Sequence, residues 1–137
     1  MPQSFLGSWR LVSCEFRSAS GEVNYPLGRD VAGQISYDAA GCMSAQLMQR
    51  GQQPFASENM YTANPAEQSR AWSCYVGYFG SYTVDETAGT VTHFVEGSWF
   101  PNWVGTSQVR HFRFEGNRLE LSSKADQGVY RIVWEKI

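Results

Sequence analysis

Long apolar runs, clustered charge and paired cysteines are all missing from this sequence of 137 residues. No stretch approaches the roughly 20 apolar residues that a membrane-spanning helix needs. The N-terminus, Met1 to Phe5, has neither the basic start nor the apolar run of a secretory signal. Basic residues are scattered, and the formal net charge is -2. These features argue against a nucleic acid or a membrane as the main partner.

Cysteine and histidine are scarce. Cys14, Cys42 and Cys74 form no CxxC motif, and without a signal peptide we expect reduced thiols in a cytoplasmic protein, buried and inert rather than reactive. The only histidines, His93 and His111, fall on strands with opposite predicted faces, so no metal site is expected. No Gly-x-Ser-x-Gly elbow and no glycine-rich phosphate loop occur. We therefore expect no cofactor, although a haem barrel with His93 as the axial ligand stays open as an alternative.

Aromatic residues are abundant, with five Trp, seven Tyr and eight Phe. They could fill a core or line a pocket. The length fits a single domain, residues 1–137. Within it, short β-rich runs recur between turn residues, a pattern typical of an all-β protein. The predicted strands are Ser8–Arg17, Ala32–Tyr37, Cys42–Met48, Tyr75–Val84, Thr90–Trp99, Ser107–Glu115, Arg118–Ser123 and Val129–Lys136. One short helix is predicted near residues 65–73, with Asn64 as its N-cap and Glu67 in its first turn.

The connections between strands alternate in length. Residues 38–41, 85–89 and 116–117 are hairpin-sized and contain Gly. The others, residues 18–31, 49–74, 100–106 and 124–128, are mostly longer. In an up-and-down meander the long connections share one end, a regularity that a Greek-key sandwich rarely gives. We therefore predict an eight-stranded antiparallel up-and-down β-barrel that could hold one small ligand.

Several stretches resemble a known family. Gly7-Ser8-Trp9 resembles the Gly-x-Trp signature of lipocalins, whose Trp plugs the closed end of the barrel. Wider similarity links this chain to the small bacterial and fungal lipocalin-like domain proteins, a calycin-type barrel family. The similar stretches are residues 7–15 (GSWRLVSCE), 25–28 (YPLG), 43–48 (MSAQLM), 78–84 (YFGSYTV) and 89–109 (GTVTHFVEGSWFPNWVGTSQV). The resemblance implies an eight-stranded barrel with an internal pocket, and it brings no catalytic residues with it.

Alternation along each strand predicts which side chains point inward. The sixth strand places Arg110 inside with Phe112 and Phe114, nearer the mouth than both. In the third strand, the set of Met43, Ala45 and Leu47 competes with that of Ser44 and Gln46. In the fifth strand, we prefer Val91, His93, Val95 and Gly97 to Thr92, Phe94 and Glu96. The other predicted inward sets are Gly33, Ile35 and Tyr37; Tyr78, Gly80, Tyr82 and Val84; Leu119 and Leu121; and Tyr130, Ile132 and Trp134. Gly80 either leaves room for a ligand or permits a bend.

A polar cluster inside an aromatic wall would orient a small ligand. Arg can bind a carboxylate or enolate, His can exchange protons, and Tyr can donate to a carbonyl. The predicted ligand-binding residues are Tyr37, Gln46, Tyr78, Tyr82, His93, Trp99, Trp103, Arg110 and Tyr130. In a purely structural alternative, His93 is a satisfied core histidine and Arg110 is paired with Glu15 or Glu96. The aromatic loop, residues 96–105, would be a lid, an anchor for the helix or a dimer interface.

Three functions follow from these features. The first is the binding of a small, mostly apolar or aromatic, possibly carboxylated metabolite. The second is a cofactor-free isomerase or cyclase that acts on a polyketide- or terpenoid-like substrate in the same pocket. In that case His93 would transfer a proton, and Arg110 or Tyr82 would stabilise the oxyanion. The third is an interaction protein without a ligand, whose mouth aromatics form a homodimer.

Overall fold

Nine strands form one sheet that closes on itself in a computed structural model that describes residues 4–137. The strands are β1 (Gly7–Ser18), β2 (Val23–Asn24), β3 (Val31–Tyr37), β4 (Cys42–Gln49), β5 (Tyr75–Asp85), β6 (Thr90–Ser98), β7 (Ser107–Glu115), β8 (Arg118–Ala125) and β9 (Gly128–Lys136). Neighbours along the chain pair antiparallel, and β9 returns to pair with β1. Strand β2 adds only two residues, paired with the end of β1. The predicted eight-stranded barrel is therefore confirmed, and β2 is the strand that the sequence pattern did not show.

Connection lengths alternate as expected. The turns after β3, β5 and β7 are short, and the first of them shows how such a turn is built. Asp38 Oδ1 accepts hydrogen bonds from the amides of Ala40 and Cys42, and Gly41 has a φ of 88°, which favours glycine. The longer connections lie at the opposite end, which we call the mouth. The barrel thus has a tight closed end and an open end rich in loops.

One α-helix, α1 (Pro65–Ser73), lies in the long connection between β4 and β5. The Asn64 side chain accepts from the Glu67 amide, and the Glu67 carboxylate accepts from the Asn64 amide, so the capping box is complete. Short 3-10 helices cover Met60–Thr62 and Pro101–Trp103. No helix among residues 4–137 is long and apolar enough to cross a membrane. The helix is thus specified by its own local sequence.

Trp9 seals the closed end. Its ring is 4% exposed, and its Nε1 donates to the Phe5 carbonyl at 2.9 Å. Phe5 packs edge-on against Phe112 and Phe114, and the Lys136 ammonium lies 4.6 Å from the centre of the Trp9 ring. This placement confirms the position that the Gly-x-Trp resemblance implies.

Strand β4 turns Met43, Ala45 and Leu47 inward, with 3%, 0% and 4% exposure, which settles the third-strand alternative. Gln46 therefore lies on the outer face of the barrel, where it accepts a hydrogen bond from the Tyr75 hydroxyl. The prediction that Gln46 lines the interior is wrong. The reason is that a strand has two faces, and the apolar set takes the inner one.

A β-bulge corrects a second assignment. Val91, His93 and Val95 point inward as preferred, but the register with β5 shifts so that Glu96 has no partner. This shift turns Gly97 outward, where a Cβ would collide with the Phe79 ring. A Cβ on Gly80 would collide with the Phe94 carbonyl oxygen. Gly80 therefore permits the bend, because its missing side chain lets two backbones approach.

Candidate functional site

Interior polar residues from four strands, β3, β5, β6 and β7, meet inside the barrel. Tyr37 ends β3, Tyr78 lies near the start of β5, His93 is central in β6, and Arg110 is central in β7. Because alternate residues share a face, all four side chains belong to the inner surface. Tyr82, the fourth predicted partner of this group, lies farther along β5 toward the closed end. The cluster therefore forms from residues up to 73 positions apart in the chain.

His93 bridges two tyrosines at the centre of the barrel. Its Nε2 lies 2.7 Å from the Tyr37 hydroxyl, and its Nδ1 lies 3.0 Å from the Tyr78 hydroxyl. The imidazole is 0% exposed. Burial, reinforced by the positive charge of Arg110, lowers the pKa of His93 to about 3. His93 is therefore neutral near pH 7, and it is a satisfied core histidine rather than a residue poised for proton transfer. With both ring nitrogens in hydrogen bonds, it has no free nitrogen for a haem iron.

Both tyrosine hydroxyls also favour their neutral forms. Burial raises the pKa of Tyr37 well above its ordinary value, with the charge on Arg110 acting in the opposite direction. Burial likewise raises the pKa of Tyr78, and Arg110 again opposes the change. The guanidinium of Arg110 thus lies within electrostatic reach of the whole bridge. The neutral, hydrogen-bonded unit of Tyr37, His93 and Tyr78 therefore lies near the permanent positive charge of Arg110.

Arg110 has no carboxylate partner among residues 4–137. Its polar contacts are a side-chain interaction with the Tyr78 hydroxyl and long hydrogen bonds to the Gln108 side-chain oxygen at 3.5 Å and the Val109 carbonyl at 3.4 Å. The two acids considered as partners are elsewhere: Glu15 pairs with Arg131 at 3.4 Å, and Glu96 is exposed at the bulge. The alternative in which Arg110 is neutralised internally is therefore wrong for these two acids. A half-buried cation that lacks an anion carries a desolvation cost that no opposite charge offsets.

An aromatic wall stands beside this cation at the mouth. Trp103 packs edge-on against Tyr78 at 5.4 Å and against Trp99 at 5.2 Å between ring centres. Trp99 also contacts Trp72 of α1 at 5.7 Å. The aromatic loop therefore contacts Tyr78 and anchors the helix, which is one of its three predicted roles. Trp99 Nε1 is buried and has no hydrogen-bond partner within residues 4–137.

The predicted site residues separate into three groups. Tyr37, Tyr78, His93 and Arg110 come together. Tyr130 lies on the inner face at the mouth, 39% exposed, with its ring 4.8 Å from that of Phe16. Tyr82 packs its ring against Tyr37, with ring centres 4.8 Å apart, but its hydroxyl donates to the Asp38 carbonyl in the closed-end turn at 2.8 Å and not to His93. Its predicted role as an oxyanion donor is not compatible with that position.

Sequence reasoning missed two residues of the site. Gln108 lies on the inner face of β7 and offers its oxygen to Arg110, and the alternation that identified Arg110 would also have found it. Trp72 adds an aromatic ring from the helix. Its position could not be foreseen, because the path of a 25-residue connection is not set by strand periodicity.

Two clefts lie outside the interior. One, about 340 Å³, follows the outer ion network in which Arg131 Nε contacts Glu120 at 2.7 Å, above the buried Val133. The other, about 190 Å³, lies at the closed end beside Phe5 and Tyr82. Neither corresponds to the internal pocket that the family resemblance implies. Fully buried side chains such as Trp134, Leu119 and His93 occupy the middle of the barrel.

Metal binding finds no support in the geometry. Among residues 4–137, no three His, Cys, Asp or Glu side chains gather closely enough to hold an ion. His93 and His111 lie on opposite faces, the first buried and the second exposed.

Comparison with known proteins gives two findings. A family model described as a lipocalin-like domain matches residues 6–137. A curated protein of Aspergillus oryzae, named 4'-hydroxy-3'-methoxypropiophenone carrier protein ppsC, is 37% identical over 87 residues, which span 59% of this chain and 78% of that protein. Both findings agree with the barrel observed here.

Proposed function

The chain belongs to the lipocalin-like domain family, and from this premise we propose that it is a carrier for a small aromatic metabolite bound at the mouth of the barrel. Its similarity to a protein named as the carrier of an aryl ketone supports this proposal. The ligand class that we propose is a substituted phenyl ketone or a similarly sized aromatic compound with a carbonyl or carboxylate oxygen.

The observation that carries the proposal is the unpaired charge of Arg110. Within residues 4–137 no ion pair includes this guanidinium, although Arg110 lies on the inner face of its strand. Placing a cation there costs free energy unless an anion or a polar oxygen interacts with the guanidinium. A ligand that enters the mouth would supply this partner. The wall formed by Trp99 and Trp103 would supply contacts for an aromatic ring.

The residues that we propose to contact the ligand are Tyr78, Trp99, Trp103, Arg110 and Tyr130. Tyr37 and His93 would support them from below, since both are almost completely buried and hydrogen-bonded to each other. A carrier needs no proton transfer, which agrees with the neutral, buried His93. The isomerase or cyclase alternative depended on that proton transfer, and no observation favours it. The mouth aromatics that a dimer would use are packed within the chain, against α1 and Tyr78.

We also propose a cytoplasmic location, because the three cysteines are free thiols. Fractionation of cells that express the protein under its own promoter tests this point. Recovery in the soluble cell extract supports the proposal, and recovery in the culture medium contradicts it.

Binding can be measured with 4'-hydroxy-3'-methoxypropiophenone as the probe, by isothermal titration calorimetry and by quenching of tryptophan fluorescence. We expect the Arg110→Met variant to bind at least about tenfold more weakly, since a hydrogen bond to a charged group contributes about 1.5–3 kcal/mol. Arg10→Met is the matched control, because Arg10 is exposed on the outer surface, and it should bind like the parent protein. Absence of binding at millimolar probe, or equal binding by Arg110→Met, would contradict the proposed function.

A further inference from the structure

The hydrogen bonds of His93 determine which way the protons of the two tyrosines point. A neutral imidazole has one N–H donor and one acceptor nitrogen. Within residues 4–137 the Tyr37 hydroxyl, 1% exposed, has no hydrogen-bond partner except His93 Nε2. If Nε2 carried the proton, the Tyr37 O–H would be buried without an acceptor. The network is satisfied when Tyr37 donates to Nε2, and His93 is then protonated on Nδ1.

This tautomer turns Tyr78 into a donor toward the mouth. His93 Nδ1–H donates to the Tyr78 oxygen at 3.0 Å, so the hydroxyl proton of Tyr78 must point elsewhere. No acceptor for it is found among the described residues. Its surroundings are the edge-on ring of Trp103 and the positive charge of Arg110, neither of which accepts a conventional hydrogen bond. The Tyr78 O–H is therefore available to a ligand.

Two more donors are open in the same region. Arg110 forms no ion pair within residues 4–137, and besides its interaction with the Tyr78 hydroxyl it has only the contacts at 3.4–3.5 Å described above. The buried Trp99 Nε1–H has no partner within residues 4–137. Trp99 is connected to Tyr78 through Trp103, with successive ring centres 5.2 and 5.4 Å apart. Tyr78, Trp99 and Arg110 thus offer donors and a positive charge, while Gln108 Oε1 faces Arg110.

We propose that the donors of Tyr78, Trp99 and Arg110 bind a 4-acylphenol as its phenolate, so that the ligand gives up its phenolic proton to solvent on binding. This inference rests on the proposed carrier function and specifies the charge state of the cargo. In a 4-acylphenolate the negative charge is shared by conjugation between the phenolic and the ketone oxygens. Either oxygen can therefore accept from Tyr78 and Arg110. An opposite charge nearby favours the ionised form of a titratable group.

The charge state of the bound ligand can be read by ultraviolet–visible spectroscopy, because a 4-acylphenolate absorbs at longer wavelength than the phenol. The probe is 4'-hydroxy-3'-methoxypropiophenone, titrated from pH 5 to 10 with and without excess protein. We expect the midpoint for the bound probe to lie about one to two pH units below that of the free probe. An unchanged or raised midpoint for a probe that calorimetry shows to be bound would overturn the inference and leave the carrier function standing. A probe that does not bind removes both.

Variants separate the contributions of the donors. Arg110→Met and Tyr78→Phe should each move the bound midpoint back toward the free value. Tyr75→Phe is the matched control for the second, because Tyr75 lies on the outer face with Gln46, and it should keep the lowered midpoint. A Tyr78→Phe variant that keeps the full shift would contradict the role of Tyr78.

A measurement on the unmodified protein tests the proton arrangement without any ligand. Nitrogen-15 NMR of the histidine side chains distinguishes a protonated from an unprotonated ring nitrogen. We expect His93 to be protonated on Nδ1 and bare on Nε2 at pH 7. The opposite tautomer would make Tyr78 a donor to His93 and would overturn the inference.

Discussion

Acidification should destabilise this barrel through His93, and the size of the effect follows from its burial. The pKa of His93 falls from an ordinary value of 6.5 to about 3 in the folded protein, because burial and Arg110 both oppose the charged form. Between these two values the unfolded chain binds a proton that the folded chain excludes. The free energy of unfolding is therefore at its full value above pH 6.5 and falls as the pH drops toward 3. Linkage gives a loss of about 0.8 kcal/mol at pH 6 and about 2 kcal/mol at pH 5, relative to pH 7.5.

The loss can be measured by urea denaturation at pH 7.5, 6 and 5, where carboxylates remain mostly ionised. His93→Gln should be less stable at pH 7.5 by about 1–3 kcal/mol, because Tyr37 and Tyr78 lose a well-placed partner. It should also lose most of the parent's pH dependence over this range. His111→Gln, on the exposed outer face, should keep that dependence. The reasoning is refuted if the parent and His93→Gln lose stability in parallel between pH 7.5 and 5.

An NMR titration of the parent protein gives the same information without a variant. The His93 ring should remain neutral at pH 5, far below the pH at which an unburied histidine gains its proton. Protonation of His93 near pH 6 in the folded state would contradict the lowered pKa of this residue.

Two further predictions concern stability and reactivity. Gly80→Ala should lower the free energy of unfolding by about 1–3 kcal/mol, since its Cβ would meet the Phe94 carbonyl at the bulge; urea denaturation checks this, and an unchanged midpoint would show that the bulge relaxes freely. Cys14 is 6% exposed and burial raises its pKa to about 11, so in native protein a thiol reagent at pH 8 should modify the exposed Cys42 well before Cys14. Cys42→Ser should remove the fast phase of that reaction, and a fast phase that persists would contradict the assignment.

Much of the fold could be predicted from the sequence because its determinants are local. Turn residues such as Asp38 and Gly41 mark the ends of strands, and the Asn64–Glu67 capping box defines the start of the helix. Alternation then assigned His93 and Arg110 to the interior correctly. The errors arose where the alternation of inward and outward side chains is interrupted. The bulge at Glu96 turned Gly97 outward, and such a bulge depends on pairing with β5 rather than on the sequence of β6 alone.

The site was harder to predict because its contacts are not local. Nothing in the sequence near His93 indicates that its hydrogen-bond partner is Tyr37, which lies 56 residues earlier in the chain. Tyr82 shares a face with Tyr78 and was grouped with it. Its ring does contact Tyr37, yet its hydroxyl donates to the Asp38 carbonyl in the closed-end turn. Periodicity gives the face of a residue but not its level along the barrel axis. The level depends on the registers of all the strands together.

The pairing of β1 with β9 has a consequence for how the chain acquires its structure. Trp9 and Leu11 lie opposite Lys136 and Trp134, so this edge of β1 has no partner until β9 has been synthesised. Until then, one edge of β1 and the lower core around Trp9 remain uncovered. Contacts of such long sequence separation form slowly, and unpaired strand edges are prone to aggregate. Pairing of β1 with β9 therefore closes the edge at which a folding chain of this barrel could aggregate.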